Sequence, residues 1–181
     1  MKLAYFTWVL VIITCTACSP IQNPTPYKPI ELSLTHGKMV YYGAFYDSVP
    51  NNVIALDIYS EGITFDSAGY MQGDGSNLYL SDIFIPISDT TLASSTYHCD
   101  SSTTAFSFLP GMDFESNPTG TYLLQLVDSR VRQILLFTEG HFTYTRQGDT
   151  ADIVFTLTAN KHIYTISFHG PLTYERHEPH L

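Results

Sequence analysis

The last third of the chain leaves the least freedom of fold. Five extended runs follow one another there: Thr121 to Val127, Arg132 to Thr138, His141 to Arg146, Asp152 to Thr158 and His162 to His169. They are separated by Asp128-Ser129, Glu139-Gly140, Gln147-Gly148-Asp149 and Ala159-Asn160-Lys161. Connections this short join antiparallel neighbours, because parallel neighbours need a crossover of roughly a dozen residues. In the final pair Ile153, Phe155 and Leu157 share one face, as do Tyr164, Ile166 and Phe168. No helical period appears after the N-terminal leader.

The preceding region reads the same way. Lys38 to Tyr46 is apolar at both parities, so both faces of that strand should be covered. From Asn52 to Ser60, Ile54, Leu56 and Ile58 fall on one side and Val53, Ala55, Asp57 and Tyr59 on the other, which reads as a half-buried strand. Ile63 to Phe65 and Tyr70 to Gln72 flank Asp66-Ser67-Ala68-Gly69, a hairpin whose glycine can take positive φ. Asn77 to Ile85 is again extended. The expected fold is all-β: a single antiparallel β-sandwich or flattened β-barrel of about nine or ten strands over residues 37–176. Its core should include Ile54, Leu56, Ile58, Leu124, Leu126, Phe155, Leu157, Ile166 and Phe168, and the domain should fold alone as a monomer.

The N-terminus has a different character. Lys2 precedes an apolar run from Leu3 to Ile13, too short to cross a bilayer and of the right length for a secretory leader. It ends at Thr14-Cys15-Thr16-Ala17-Cys18-Ser19, with small residues just before Cys18. In this stretch the chain resembles a bacterial lipoprotein precursor. The resemblance implies that residues 1–17 are a signal peptide and that Cys18 carries lipid and holds the mature chain to a membrane, with Cys15 departing from the usual aliphatic residue. Residues 18–36 hold Pro20, Pro24, Pro26 and Pro29 and read as an extended tether, because proline fixes φ and removes backbone donors. Ser19 to Asn23 carries no acidic residue, which leaves the periplasmic and surface faces of the outer membrane both open. With Tyr41-Tyr42-Gly43, Thr119-Gly120-Thr121-Tyr122 and His169-Gly170-Pro171, the whole chain looks like the small all-β lipoproteins of Bacteroidetes. That likeness implies fold and envelope location, and nothing about activity.

Charge narrows the partners. Loss of Lys2 with the leader leaves seven of the eight Lys and Arg against seventeen Asp and Glu. Such a chain is unsuited to nucleic acid and to anionic membrane surfaces, where a basic face must neutralise phosphates. If Cys15 leaves and Cys18 is lipidated, Cys99 has no disulfide partner.

Between Met39 and Ser129 there is no lysine or arginine but eleven acids. Asp74-Gly75-Ser76-Asn77 is the most cation-like loop, with Asp74 and Asn77 as its oxygen ligands, yet its spacing does not match a twelve-residue calcium loop and aspartate is favoured at turns. No metal and no cofactor is expected. His177-Glu178-Pro179-His180 falls short of the three or four ligands zinc needs and reads as part of a C-terminal tail over 177–181. His98-Cys99-Asp100 places adjacent side chains on opposite faces of a strand, which opposes a catalytic assembly.

No nucleophile, metalloprotease, phosphate-loop or dinucleotide fingerprint is present, so an enzyme is not expected. The remaining candidate is a tyrosine-rich binding surface for a glycan, peptide or envelope protein: Tyr41, Tyr42, Tyr46, Tyr59, Tyr70 and Tyr79. Tyrosine suits such a surface because its ring packs while its hydroxyl stays wet. The alternative is a barrel that carries a small apolar, lipid-like ligand inside, suggested by strands apolar on both faces.

Overall fold

The computed structural model describes residues 29–177. The leader, Cys18 and the tether through residue 28 lie outside them, as do Glu178, Pro179 and His180. Among the described residues there are sixteen strands and no helix.

Strand β1 (Ile30–Leu34) and β2 (His36–Gly43) run on from each other through Thr35. Next come β3 (Asn51–Tyr59), a separate hairpin of β4 (Ile63–Phe65) and β5 (Met71–Gly73), and the long β6 (Gly75–Pro86), which returns antiparallel beside β3. The short β7 (Ser95–Cys99) and β8 (Ser107–Phe108) precede a second small hairpin, β9 (Met112–Phe114) and β10 (Asn117–Thr119). Then come β11 (Thr121–Val127), β12 (Arg130–Leu136), β13 (Glu139–Gln147), β14 (Thr150–Ala159), β15 (His162–Pro171) and β16 (Thr173–Arg176). The expected antiparallel neighbours form as β11–β12 and as β13–β14–β15, but the meander is broken between β12 and β13, because β13 takes β7 as its second partner. Three two-residue turns, Glu115-Ser116 between β9 and β10, Asp128-Ser129 between β11 and β12 and Asn160-Lys161 between β14 and β15, have positive φ at both positions, between 51 and 67°. This is the type I′ backbone, whose twist matches that of paired strands.

Twelve strands join one strongly curled sheet in the order β1-β15-β14-β13-β7-β8-β6-β3-β2-β16. β11 and β12 branch from it, because one half of β6 pairs with β11 and the other half with β8. At one end of the sheet β1 lies parallel to β15, from Ile30 beside Tyr164 to Leu34 beside Phe168. At the other end β16 lies parallel to β2, from Thr173 beside Lys38 to Arg176 beside Tyr41. Since β1 leads into β2 and β15 into β16, the same two lengths of chain run side by side at both ends. Gly37 sits at this seam, where an added Cβ would fall 2.5 Å from Leu172 and 3.2 Å from the Phe168 ring.

Three expectations are corrected here. The strands number sixteen, not nine or ten, because bends at Thr35 and Leu172 split two long strands and several short hairpins form. Pairing is mixed, with β1–β15, β16–β2 and β7–β8 parallel. The first two escape the crossover rule because nearly the whole domain forms the connection between their members. Finally, the sheet begins at Ile30 instead of Gly37, so the last part of the expected 18–36 tether is a strand. Pro29 is the last proline before it, and Leu34 beyond is 1% exposed, part of the core.

All nine expected core residues are buried. Seven of them belong to the interior, where Tyr97 and Phe142 stack at 4.7 Å with rings 5° from parallel, and Phe142 also meets Phe108 and Phe155. The Tyr97 hydroxyl is satisfied in that apolar setting by the backbone N–H and carbonyl of Ala93. Leu124 and Leu126 instead join Ile63, with Tyr59, Met71 and Tyr122 packed around them, in a separate small cluster where β11 meets the β4–β5 hairpin.

Candidate functional site

Alternation along β2 divides its two adjacent tyrosines. Tyr41 joins the interior at 8% exposure, and Tyr42 points to the outer face. On the neighbouring strands Asp57, Tyr79 and Tyr122 lie in one cross-strand row. After Gly43 the chain turns back so that Phe45 packs edge-on against Tyr46 at 5.0 Å and Tyr46 leans on Phe84 at 6.2 Å. A third wall comes from Leu109 and Met112 and from Pro118 to Gly120. Together these residues bound an open groove of about 490 Å³. Its rings are held pairwise, Tyr42 against Phe45 at 5.8 Å and Tyr79 against Tyr122 at 5.5 Å. Gly120 is required in the third wall. Its φ is +72°, and an added Cβ would lie 2.1 Å from the Pro110 carbonyl oxygen.

One carboxylate belongs to the groove. Asp82 is half-buried and accepts hydrogen bonds from the Tyr46 hydroxyl at 2.6 Å and from the Ser81 hydroxyl, one on each oxygen. Burial, followed by that bond and the charge of Asp82, pushes the Tyr46 phenol up to about 12, so it stays a donor at physiological pH. Burial likewise raises Tyr79 and Tyr122. Beside Tyr79 in the register, Asp57 accepts a hydrogen bond from the buried Asn77 amide. Burial raises the Asp57 carboxyl, opposed by Asn77 and by the charge of Lys38.

Among the described residues no lysine, arginine, histidine or cysteine lines this groove. Lys38 is paired with Glu175 at 2.8 Å. Arg176 lies 5.5 Å from the centre of the Tyr41 ring and, with His177, lines a separate depression that shares Tyr42 and Phe45 with the groove. The groove therefore offers flat aromatic faces, phenolic hydroxyls and one oriented carboxylate.

Of the six tyrosines expected to form a surface, Tyr42, Tyr46 and Tyr79 come together here. Tyr41 is corrected to a core residue. Tyr59 stacks on His36 at 5.5 Å and meets Phe65 at 5.2 Å, and Tyr70, 70% exposed, borders the β4–β5 turn; neither lines the groove. Sequence reasoning missed Phe45, Tyr122 and Asp82. Strict alternation from Leu78 and Leu80 would point Asp82 inward. However, β6 spends three residues from Leu80 to Ile83 while β3 spends two from Leu56 to Ile54. That extra residue is a bulge, and it turns Asp82 outward.

The other expected positions are dispersed. Asp74 accepts the Asp128 N–H at 2.5 Å, tying two turns together, whereas Asn77 is buried against Asp57. Among the described residues no three His, Cys, Asp or Glu side chains group as metal ligands. His98 and His141 face each other across β7 and β13 with ring centres 6.2 Å apart. Burial, then the charges of Asp100 and Glu139, pushes the Cys99 thiol up to about 11, the state of an unreactive cysteine. His169 pairs with Asp152 at the surface. His177 closes the described chain with its N–H on the Tyr41 carbonyl. No family model, no curated protein and no solved structure matches this chain.

Proposed function

We propose that this chain is a non-enzymatic binding module of the bacterial cell envelope, held to a membrane by lipid on Cys18 and gripping a glycan, peptide or protein partner in the Tyr42–Tyr46–Tyr79 groove. The observation that carries the reading is the groove itself: a concave, ring-lined surface with a single fixed carboxylate. Pockets of this size and make-up, mostly apolar with a few oriented polar groups, are typical of binding sites.

The curled sheet further suggests a flattened barrel closed along the seam between β1–β2 and β15–β16. Its interior is filled by the rings of Tyr97, Phe108, Phe142 and Phe155, which favours an external groove over an internal cavity for a lipid-like ligand. The leader, with the small residues Thr16 and Ala17 just before Cys18, supports export and anchoring.

Two measurements test this reading. Replacing Cys18 with Ala should leave the precursor uncleaved or release the chain from the membrane fraction, and normal cleavage with full membrane retention overturns the anchor. A glycan and peptide array probed with the full chain should yield ligands lost in both Tyr42→Ala and Tyr79→Ala but kept in Tyr70→Ala. Ligands indifferent to both groove variants overturn the groove.

A further inference from the structure

We infer that the groove takes a basic peptide segment, seating a lysine or arginine side chain with its cationic head on Asp82 and its aliphatic stem along the tyrosine rings. This deepens the preceding reading and rests on it. The argument begins with charge complementarity. Among the described residues, those lining the groove all come from 42–122, a stretch devoid of lysine and arginine, so none of them neutralises Asp82. Asp113 and Glu115, exposed on the adjoining β9–β10 hairpin, add to the negative potential there. Tyr46 and Ser81 each donate to one Asp82 oxygen, which fixes the carboxylate plane and leaves lone pairs on both oxygens for an incoming donor.

Ring faces add the second half of the recognition. Tyr42, Tyr46, Tyr79 and Tyr122 surround a site with one anionic group, an arrangement that attracts ammonium and guanidinium ions through the ring quadrupole. A volume of about 490 Å³ exceeds what an isolated ammonium needs, and its lining is mainly apolar. A long basic side chain meets both conditions, because its methylenes cover apolar surface while its head stays polar. A neutral sugar would stack a C–H face on the rings but brings no positive charge to offset Asp82.

The decisive experiment is calorimetric titration of the full chain in detergent. The probe is the peptide acetyl-Gly-Lys-Gly-Lys-Gly-amide, compared with the same peptide acetylated on both lysines and with chitohexaose. Binding of the lysine peptide should fall about tenfold or more on acetylation and by a similar factor in Asp82→Asn, in line with loss of a charge-assisted bond inside an aromatic cage. Paired Asp113→Asn and Glu115→Gln should change it by no more than about twofold, as expected of exposed, salt-screened charges. Tyr46→Phe, which keeps the ring and the carboxylate, gives a second reading if Asp82→Asn lowers the melting temperature, and it should weaken binding about threefold by freeing the carboxylate. Equal binding of the acetylated peptide, or equal losses from the hairpin acids and from Asp82, overturns the inference. Chitohexaose binding that depends on Tyr42 and Tyr79, with no lysine-peptide binding, overturns it while the groove survives as a binding site. Absence of binding by all three probes overturns it as well, and the array decides separately whether the groove binds anything.

Discussion

The interior of the curled sheet and the groove on its outer face are made of the same residue types, yet they use them in opposite ways. Inside, Tyr97 and Tyr144 are at most 1% exposed, and the Tyr97 hydroxyl is satisfied by backbone within its own loop. Outside, Tyr42, Tyr46 and Tyr79 are half-buried, the first two packed edge to face with Phe45 and the third tilted against Tyr122, and all three line an open trough. The pair Tyr41 and Tyr42 shows how little separates the two: one step along β2. An aromatic residue becomes stability or surface according to the face its strand presents, and composition alone does not say which.

The sharpest way to break this contrast is to open the sheet. Deleting residues 1–36 removes β1 with Leu34 and bares the edge of β15, and should cost on the order of 5 kcal/mol from lost apolar burial and ladder bonds. Deleting residues 1–28, which keeps β1, is the reference. Equal urea midpoints for the two truncations would show that the interior does not need the seam. Within the interior, Phe142→Ala should cost about 3–5 kcal/mol by chemical denaturation, because Tyr97, Phe108 and Phe155 all pack on that ring.

Smaller effects are expected at the groove. Gly120→Ala should cost roughly 1–3 kcal/mol, since it forces an alanine into left-handed backbone and against the Pro110 carbonyl. Asp57→Asn should act through pH. The folded carboxyl is raised above its usual value near 3.8, so the folded state holds a proton that the unfolded state has released. Stability from this group is therefore greatest below that value and falls as pH rises to the folded one. The variant should flatten that decline in melts taken across weakly acid pH, and an unchanged slope would place the linkage elsewhere. Phe45→Ala should fall within about 0.5 kcal/mol of the parent, as its side chain is mostly exposed. A larger loss would mean that the groove wall belongs to the core.

Much of this was legible in the chain because strands with one buried face alternate visibly. Ile153, Phe155 and Leu157 on β14 and Ile166 and Phe168 on β15 declare their face by a period of two, and the β11–β12 and β13–β14–β15 pairings declare themselves by their turns, whereas β3, read as half-buried, is covered on both faces from Asn51 to Leu56. What escaped was non-local or out of phase. β1 was hidden next to a proline-rich segment because its partner lies more than a hundred residues away at the other end of the domain. The groove escaped in part because a bulge in β6 turns Asp82 to the outer face, and a bulge leaves no residue signature in an apolar strand. Tyr122 carried a signal that could have been read: it alternates with Leu124 and Leu126, which are buried on the outer side of the sheet under a hairpin and not in the main core.

The parallel seam has a mechanical consequence. Chain enters it at Ile30 and, running the same way, reaches Tyr42 at the opposite end of the β1–β2 strand, at most about 40 Å further on for twelve extended residues. An anchor upstream of Ile30 would therefore hold the domain by one end and set Tyr42, in the groove wall, toward the other. Tension between a captured partner and the anchor would run along β1 and β2 themselves. Their bonds to β15 and β16 would then be loaded in shear, all together, rather than peeled one at a time, so the domain should yield to a pull from its tether only at high force.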